Sequence, residues 1–443
     1  MLKTFRGGVH PPQSKDFTVD RHIRTAPVPR KVAIPLLQHT GAPCEPLVAV
    51  GDEVKTGQLI ADSEKFISSA IHASISGKVT KIEKSPHPLL GSYIAIMIEG
   101  DGLDRYDHYI KKRRDIASFS DELIRDTIKQ AGIVGLGGAA FPAHVKLTPP
   151  ENKPIDSIIL NGVECEPYLT CDHRLMLEKT MGIVEGLKVI KKLTRASNVY
   201  VGIESNKIGA AFALEKVLKD QRGDIKDAKI VLLKTKYPQG AEKQLIKSIL
   251  NREVPPGKLP FDVGCIVTNV GTAFAIHEAV FEGKPLYERA ITMTGSPLRE
   301  PANLIVRIGT SVRELVDTCG GFSRDPAKVI SGGPMMGVTQ FTLDAPIIKG
   351  TSGILFLSKE EAKEYQEKSC IRCAKCVDVC PMRLVPTDIT RLAKQARYQE
   401  AVKDNIDDCI ECGACVYECP SRIPLLQWIR IAKAELLKIR RGA

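Results

Sequence analysis

The chain carries eight of its cysteines in two matching runs near the C-terminus. The first reads Cys370-x2-Cys373-x2-Cys376-x3-Cys380-Pro381, and the second reads Cys409-x2-Cys412-x2-Cys415-x3-Cys419-Pro420. This doubled spacing holds a pair of cubane [4Fe–4S] clusters, with three cysteines of a run on one cluster and the fourth crossing to the other. Cys370, Cys373, Cys376 and Cys419 are therefore expected on one centre, and Cys409, Cys412, Cys415 and Cys380 on the second. Zinc is the bland alternative. It takes four ligands, and each run already supplies four in cluster order.

A chain of 443 residues holds two to four domains. Its 43% hydrophobic and 26% charged content is that of ordinary soluble proteins. No apolar run approaches the roughly 20 residues of a membrane helix, and the N-terminus lacks a signal-peptide core. A cytoplasmic location is expected, where 13 cysteines mean metal or redox chemistry rather than disulfides. The formal charge of +11 drops to about +7 once each cluster with its thiolates contributes about −2. The remaining positive charge suits an acidic redox partner or an anionic membrane surface. With aromatics at 5% and dispersed basic residues, nucleic-acid binding is a poor reading.

Electrons must enter and leave these clusters, and the rest of the chain is read for what supplies them. Residues 1–30 read as an irregular extension with prolines at 11, 12, 27 and 29. Residues 31–100 read as short β-strands with glycine turns. Residues 101–118, with Lys111-Lys112-Arg113-Arg114, read as a charged linker. From 115 to 280 helices alternate with strands, an α/β layer domain. Helices are expected over Phe119–Ala131, Met181–Leu193 and Gly209–Lys219, and strands over Ser157–Leu160, Val199–Ile203 and Ile230–Leu233. Residues 285–345 return to strands and turns, with a short helix over Gly309–Cys319. Residues 358–443 are helical around the cysteines. A last helix from about Leu425 puts Leu425, Ile429, Ala432, Leu436 and Ile439 on one face. Arg430, Lys433, Lys438 and Arg440 lie on the other. Cys44, Cys165, Cys171, Cys265 and Cys319 fit no cluster spacing and read as buried structural thiols.

Two loops in the α/β region stand out. Gly132-Ile-Val-Gly135-Leu-Gly137-Gly138-Ala-Ala-Phe141-Pro142 lets backbone N–H groups approach a phosphate, and Lys146 adds a positive charge. Asn161-Gly-Val-Glu164-Cys-Glu166-Pro167 follows an apolar strand, and ligands of α/β sheets bind at strand ends. Carboxylates repel phosphate but suit hydroxyls and ring N–H donors. A flavin mononucleotide with a nicotinamide stacked on it reconciles the two loops.

Residues 31–100 resemble the barrel-sandwich fold of lipoyl carriers. Lys65 lies where those carry their cofactor, but Ser63-Glu64-Lys65-Phe66 is a poor match to a carrier tip, which points to docking. Gly135-x-Gly137-Gly138-Ala139-x-Phe141-Pro142, Lys146 and Asn161-x-x-Glu164-x-Glu166-Pro167 resemble the flavin subunit of respiratory NADH dehydrogenase. So do Tyr237-Pro-Gln-Gly-Ala-Glu242 and Thr268-Asn269-Val-Gly-Thr272. That resemblance implies FMN held by Gly135, Gly137, Gly138, Lys146, Asn161 and Asn269, with Phe141, Glu164, Glu166 and Glu242 facing NAD(H). Val163 stands where that family carries an aspartate, and Ala241-Glu242 replaces its glutamate pair. Glu164 and Glu166 would orient the nicotinamide or tune the flavin; capping a turn is their plainer role.

With Phe5-x-Gly7-Gly8-Val9-His10-Pro11, a β-grasp region including Gly332-Gly333-Pro334, and the two clusters, the whole order resembles the C subunits of Rnf-type ion-translocating ferredoxin:NAD oxidoreductases. The resemblance implies a peripheral electron-transfer subunit on the cytoplasmic face of a membrane complex. Its partners would be the complex's other subunits, a ferredoxin-type donor or acceptor, and NAD(H). A flavin and iron–sulfur reductase serving a corrinoid enzyme is the nearest rival, and a non-catalytic electron relay the other.

Overall fold

The computed structural model describes residues 2–107, 116, 118–220, 225 and 227–442. The basic run Lys111–Arg114 lies outside the described residues. Four layers of structure follow one another along the chain.

The barrel-sandwich unit pairs two small sheets. One orders the strands Lys31–Pro35, Gly91–Gly100, Gly77–His87 and Glu53–Val54, and the other Glu45–Pro46, Leu59–Asp62 and Ile71–His72. Between them pack Val32, Ile34, Ile60, Ile75, Ile96 and Ile98. Alternation along Lys31–Pro35 sends Val32 and Ile34 inward, the period a half-buried strand needs. Exposed Lys65 sits between Asp62 and Ile71, in a segment that packs on the α/β domain. Phe66 stands edge-on to the His144 ring at 5.9 Å, and Thr40 N–H donates to Ala140 O at 3.1 Å. The segment is thereby in contact with the α/β domain.

The α/β domain has four parallel strands in the order Lys229–Leu233, Asn198–Glu204, Ser157–Gly162, Cys265–Asn269. Their apolar runs face helices on both sides, as buried parallel strands require. The helix Asp121–Gln130 starts where Ser120 Oγ accepts from Leu123 N. Thr180–Thr194 and Val270–His277 cross closely enough that a Cβ on Gly186 would overlap Ala273 O. The strands and helices expected in this region form within one or two residues of their expected ends.

A six-stranded sheet follows, ordered Ile23–Thr25, Ala302–Arg307, Glu288–Thr294, Gly353–Leu357, Lys328–Ser331, Val338–Thr339. Two of these strands lie outside residues 285–345. Ile23–Thr25, in the stretch expected to be irregular, pairs parallel with Asn303–Ile305. Its flanking prolines and charges hide a three-residue strand whose stability comes from its partner.

In the C-terminal unit, the helix Leu425–Gly442 buries Ile429, Ala432 and Leu436 against Ile389, Leu392 and Ala401, and Leu425 beside Cys376, Cys419 and Ile423. Ile439 is 44% exposed, contrary to the periodicity, because the helix runs past the end of the core it covers. Arg430 and Lys433, expected on the solvent face, instead hold Glu411 at 3.0 and 2.9 Å, inside the second cysteine run. Among the described residues no helix is long and apolar enough to cross a membrane.

Candidate functional site

Asn161 and Asn269 end two adjacent parallel strands in register with each other, at the carboxyl edge of the sheet. Asn269 caps the helix Val270–His277: Oδ1 accepts from Gly271 N at 2.8 Å, and Nδ2 donates to Asp172 at 2.6 Å. Asn161 Nδ2 donates to Gly240 O at 2.9 Å.

The glycine loop closes over this edge. Gly135 N–H donates to Phe141 O at 2.8 Å and Leu136 N–H to Thr272 Oγ1 at 2.8 Å. Gly137 lies on Asn269, where a Cβ would sit 3.4 Å from the asparagine Cβ. Gly138 has φ +112 and open space where a Cβ would be, which suits close approach of a ligand. Gly137, Gly138 and Ala139 are exposed, and no hydrogen bond within the described residues uses their amides. That set of free donors beside a strand edge fits a phosphorylated, ring-bearing ligand.

The other expected residues are distributed around this loop. Lys146 and Glu242 face each other at 2.6 Å. Glu164, at φ +47, turns its carboxylate onto the amides of Asp172 (2.7 Å) and His173 (3.2 Å), capping the helix Cys171–Glu178. Glu166 accepts from Met335 N (3.2 Å) and Met336 N (2.9 Å), so it anchors a loop of the six-stranded domain. Burial pushes the Glu166 carboxyl up to about 7, against the pull of those amides. Both carboxylates are thus bound to backbone donors, which tie the acidic loop to a helix start and to the Met335–Met336 loop.

Three further groups at the site belong to none of the sequence motifs. Asp172 is raised by burial and then by Glu164. Buried Lys15 reaches from the N-terminal extension to the carbonyls of Glu164 and Glu166, both at 3.0 Å, and of Leu169. Buried Lys207 holds Val163 O at 2.7 Å and Glu204 at 3.0 Å. The acidic loop therefore rests on two ammonium groups. Only Asp172, a short step past Pro167 in the Thr170-Cys171-Asp172 turn, is within reach of a search for polar residues after the strand.

The eight cysteines form two sets. The thiol of Cys376 is raised by burial and then by its neighbours Cys419, Cys370 and Cys373. Cys412 is raised by burial and by Cys409 and Cys380, and Cys415 by burial, Cys412, Cys409, Cys380 and, last, Cys376 of the other set. These are the crossed sets that the spacing implies. A cavity lined by Cys380, Cys409, Cys412 and Cys415 with Ile389 and Ile429 brings the four thiols of the second set to one apolar-walled space. The donor set and the cavity both fit a thiolate-held cluster. Cys370 and Cys373 are exposed, whereas Cys412 is buried.

Comparison with known proteins agrees with this layout. Residues 3–103 match the RnfC barrel sandwich hybrid domain, 128–278 the Nuo51 FMN-binding domain, 290–339 the SLBB domain, and 362–420 a 4Fe-4S dicluster domain. The chain is thus a flavin and iron–sulfur electron-transfer protein. It is 51% identical to the C subunit of a proton-translocating ferredoxin:NAD(+) oxidoreductase complex of Clostridium ljungdahlii, over 98% of this chain and 94% of that one. It is 47% identical to the C subunit of the Na(+)-translocating complex of Acetobacterium woodii, over 99% and 98%. The C subunit of the ion-translocating oxidoreductase complex of Rhodobacter capsulatus is 40% identical, over 98% and 83%. The chain belongs to this RnfC family, the C subunits of ion-translocating oxidoreductase complexes. In fold it also resembles an NAD+-reducing [NiFe]-hydrogenase in the H2-reduced state, with TM-score 0.52 and 16% identity over 74% of this chain and 67% of that one.

Proposed function

We propose that the chain passes electrons between NAD(H) and a ferredoxin-type partner, as the peripheral subunit of an ion-translocating membrane complex on its cytoplasmic face. The observation that carries this reading is one strand edge with a ligand-ready glycine loop, in the same chain as two sets of four cysteines. FMN supplies the exchange between hydride transfer and single electrons, and the clusters carry the single electrons.

The chain's own residues bind and position. The free amides of Gly137, Gly138 and Ala139 would donate to the anionic end of the flavin, with Gly135 fixing the turn. Lys146, expected to hold FMN, is paired at 2.6 Å with Glu242, expected to face the dinucleotide, so the pair marks where the two ligands would meet. Phe141 borders the turn as an apolar wall. Asn161 and Asn269, paired in register at the strand ends, would help to hold the flavin. Glu164 and Glu166 set the path of the acidic loop, so their effect on the nicotinamide is exerted through that loop. No proton needs to be moved by a side chain, so no general acid or base is assigned.

The test is to mix the flavin-loaded protein with NADH under anaerobic conditions. Bleaching of the flavin absorbance supports the reading. A flavin that dithionite bleaches and NADH leaves oxidised would favour the second reading, a relay between protein partners.

A further inference from the structure

Among the described residues, hydrogen bonds and an ion pair join the α/β domain to the C-terminal unit beside the second cysteine set. Tyr237 is 1% exposed, and its hydroxyl donates to Cys412 O at 2.7 Å. Tyr237, Cys412, Val9 and Ala414 form one apolar cluster, with Cys165 of the acidic loop packed against it. From Tyr237 the chain runs directly to Gly240. There the backbone N–H donates to Cys165 Sγ at 3.3 Å, and the carbonyl accepts from Asn161 at 2.9 Å. A second contact runs in parallel. Met335, held by Glu166, lies on Gly413, where a Cβ would sit 2.9 Å from Met335 O. The N-terminal strap closes the junction: Gly8 N–H donates to Val379 O at 2.7 Å, and Val9 exchanges backbone bonds with Tyr237. Gln244 reaches Pro381 O at 3.3 Å on the same side.

The first set is open to solvent at one end, while its Cys376 and Cys419 are buried on the side toward Cys415. Cys370 and Cys373 are exposed, and Ile371 between them is 67% exposed. Bonds near that loop stay within the C-terminal unit, from Lys368 N to Ser421 O and from Ser421 Oγ to Ser369 O.

We propose that Tyr237 is a positioning residue that joins the flavin-binding loops to the centre of Cys380, Cys409, Cys412 and Cys415. That centre is the inner one, and the centre of Cys370, Cys373, Cys376 and Cys419 is the outer one that meets the partner. The proposal rests on the reading that this chain binds FMN and exchanges its electrons with the clusters. Each electron leaving the reduced flavin reduces the inner centre by one and, on passing outward, restores it. Two such passages reoxidise the flavin, whose protons go to water. Tyr237 itself takes up no electron in these passages. Its hydrogen bond sets the distance between Cys412 and the Gly240–Asn161 contact.

The test uses the full chain loaded with FMN and both clusters. In a dithionite titration, which needs no NADH, pulsed EPR reads the dipolar coupling of one-electron-reduced flavin to each centre. The stronger coupling is expected for the centre lost in Cys412→Ser and kept in Cys373→Ser. In Tyr237→Phe, iron and FMN content are expected to match the wild type, and dithionite to reduce both centres fully. The inner-centre signal after mixing with NADH, followed by freeze-quench EPR, is expected to appear several-fold more slowly. Stronger coupling to the centre lost in Cys373→Ser overturns the order of the centres. An unchanged rate in Tyr237→Phe overturns the role of Tyr237. A wild type in which NADH leaves the flavin oxidised, but in which the inner centre still couples more strongly, removes the hydride reading and supports the order.

Discussion

Replacing Lys15 with methionine removes a buried ammonium from beneath the acidic loop and keeps most of its volume. Its Nζ donates to Glu164 O and Glu166 O at 3.0 Å and to Leu169 O. Each charge-assisted hydrogen bond contributes about 1.5–3 kcal/mol. Desolvating the ammonium costs several kcal/mol, which offsets part of that sum. The net loss is about 3 kcal/mol, because three carbonyls are left without their donor. The loss falls on a loop whose backbone is already constrained, with Glu164 at φ +47 and Tyr168 at φ +69. A penalty of that size, spent on ordering the loop, weakens FMN binding by up to about 100-fold. Titrating apo-protein with FMN, followed by flavin fluorescence, reads the change directly. Urea denaturation separates loop disorder from global unfolding. A Lys15→Met protein that binds FMN with wild-type affinity and unfolds at wild-type urea concentration would refute the argument.

Other expectations concern pH, packing and the clusters. Burial, then Lys349, hold His39 down at about 4 and His72 at about 3. The unfolded chain takes up these protons near pH 6.5, so the stability from neutral burial is complete above that pH. It falls as pH drops through the window toward 4 and 3, by about 2 kcal/mol per histidine between pH 7 and 5. Urea titrations at the two pH values should show this, and the drop should shrink in His39→Gln. Gly186→Ala would drive a Cβ into Ala273 O, so it is expected to lower stability by about 1–3 kcal/mol; a thermal melt equal to wild type would contradict the close helix crossing. Cys419→Ser should abolish the EPR signal of the centre shared with Cys370, Cys373 and Cys376 while iron remains on the other set. Loss of the centre holding Cys409 and Cys412 instead would undo the crossed ligation.

Much of this architecture is written in local patterns. The crossed cysteine sets follow from spacing alone, because the fourth cysteine and its proline come too late in each run to close the first loop. The parallel strands are legible as short apolar runs, and Asn161 and Asn269 fall at their ends. What stayed hidden depends on partners far along the chain. Lys15 looks like any surface lysine until the fold sets it under Glu164, 149 residues away. The strand Ile23–Thr25 exists only because Asn303–Ile305 offers an edge. Glu164 and Glu166 read as ligand-facing acids, yet both bind amides, because a positive-φ turn aims one at a helix start and the other at Met335. Tyr237 opens a recognisable motif, but its bond to Cys412 spans 175 residues that no local pattern relates.

The central claim is that electrons reach both cysteine-held centres by way of the glycine-loop flavin site. It is tested most directly by comparing flavin-loaded with flavin-stripped protein, both carrying a full complement of iron. Each is mixed anaerobically with NADH, and cluster reduction is followed by EPR. The account predicts that both centres are reduced in the loaded protein and neither in the stripped one. Equal reduction without FMN, or none with it, would contradict it.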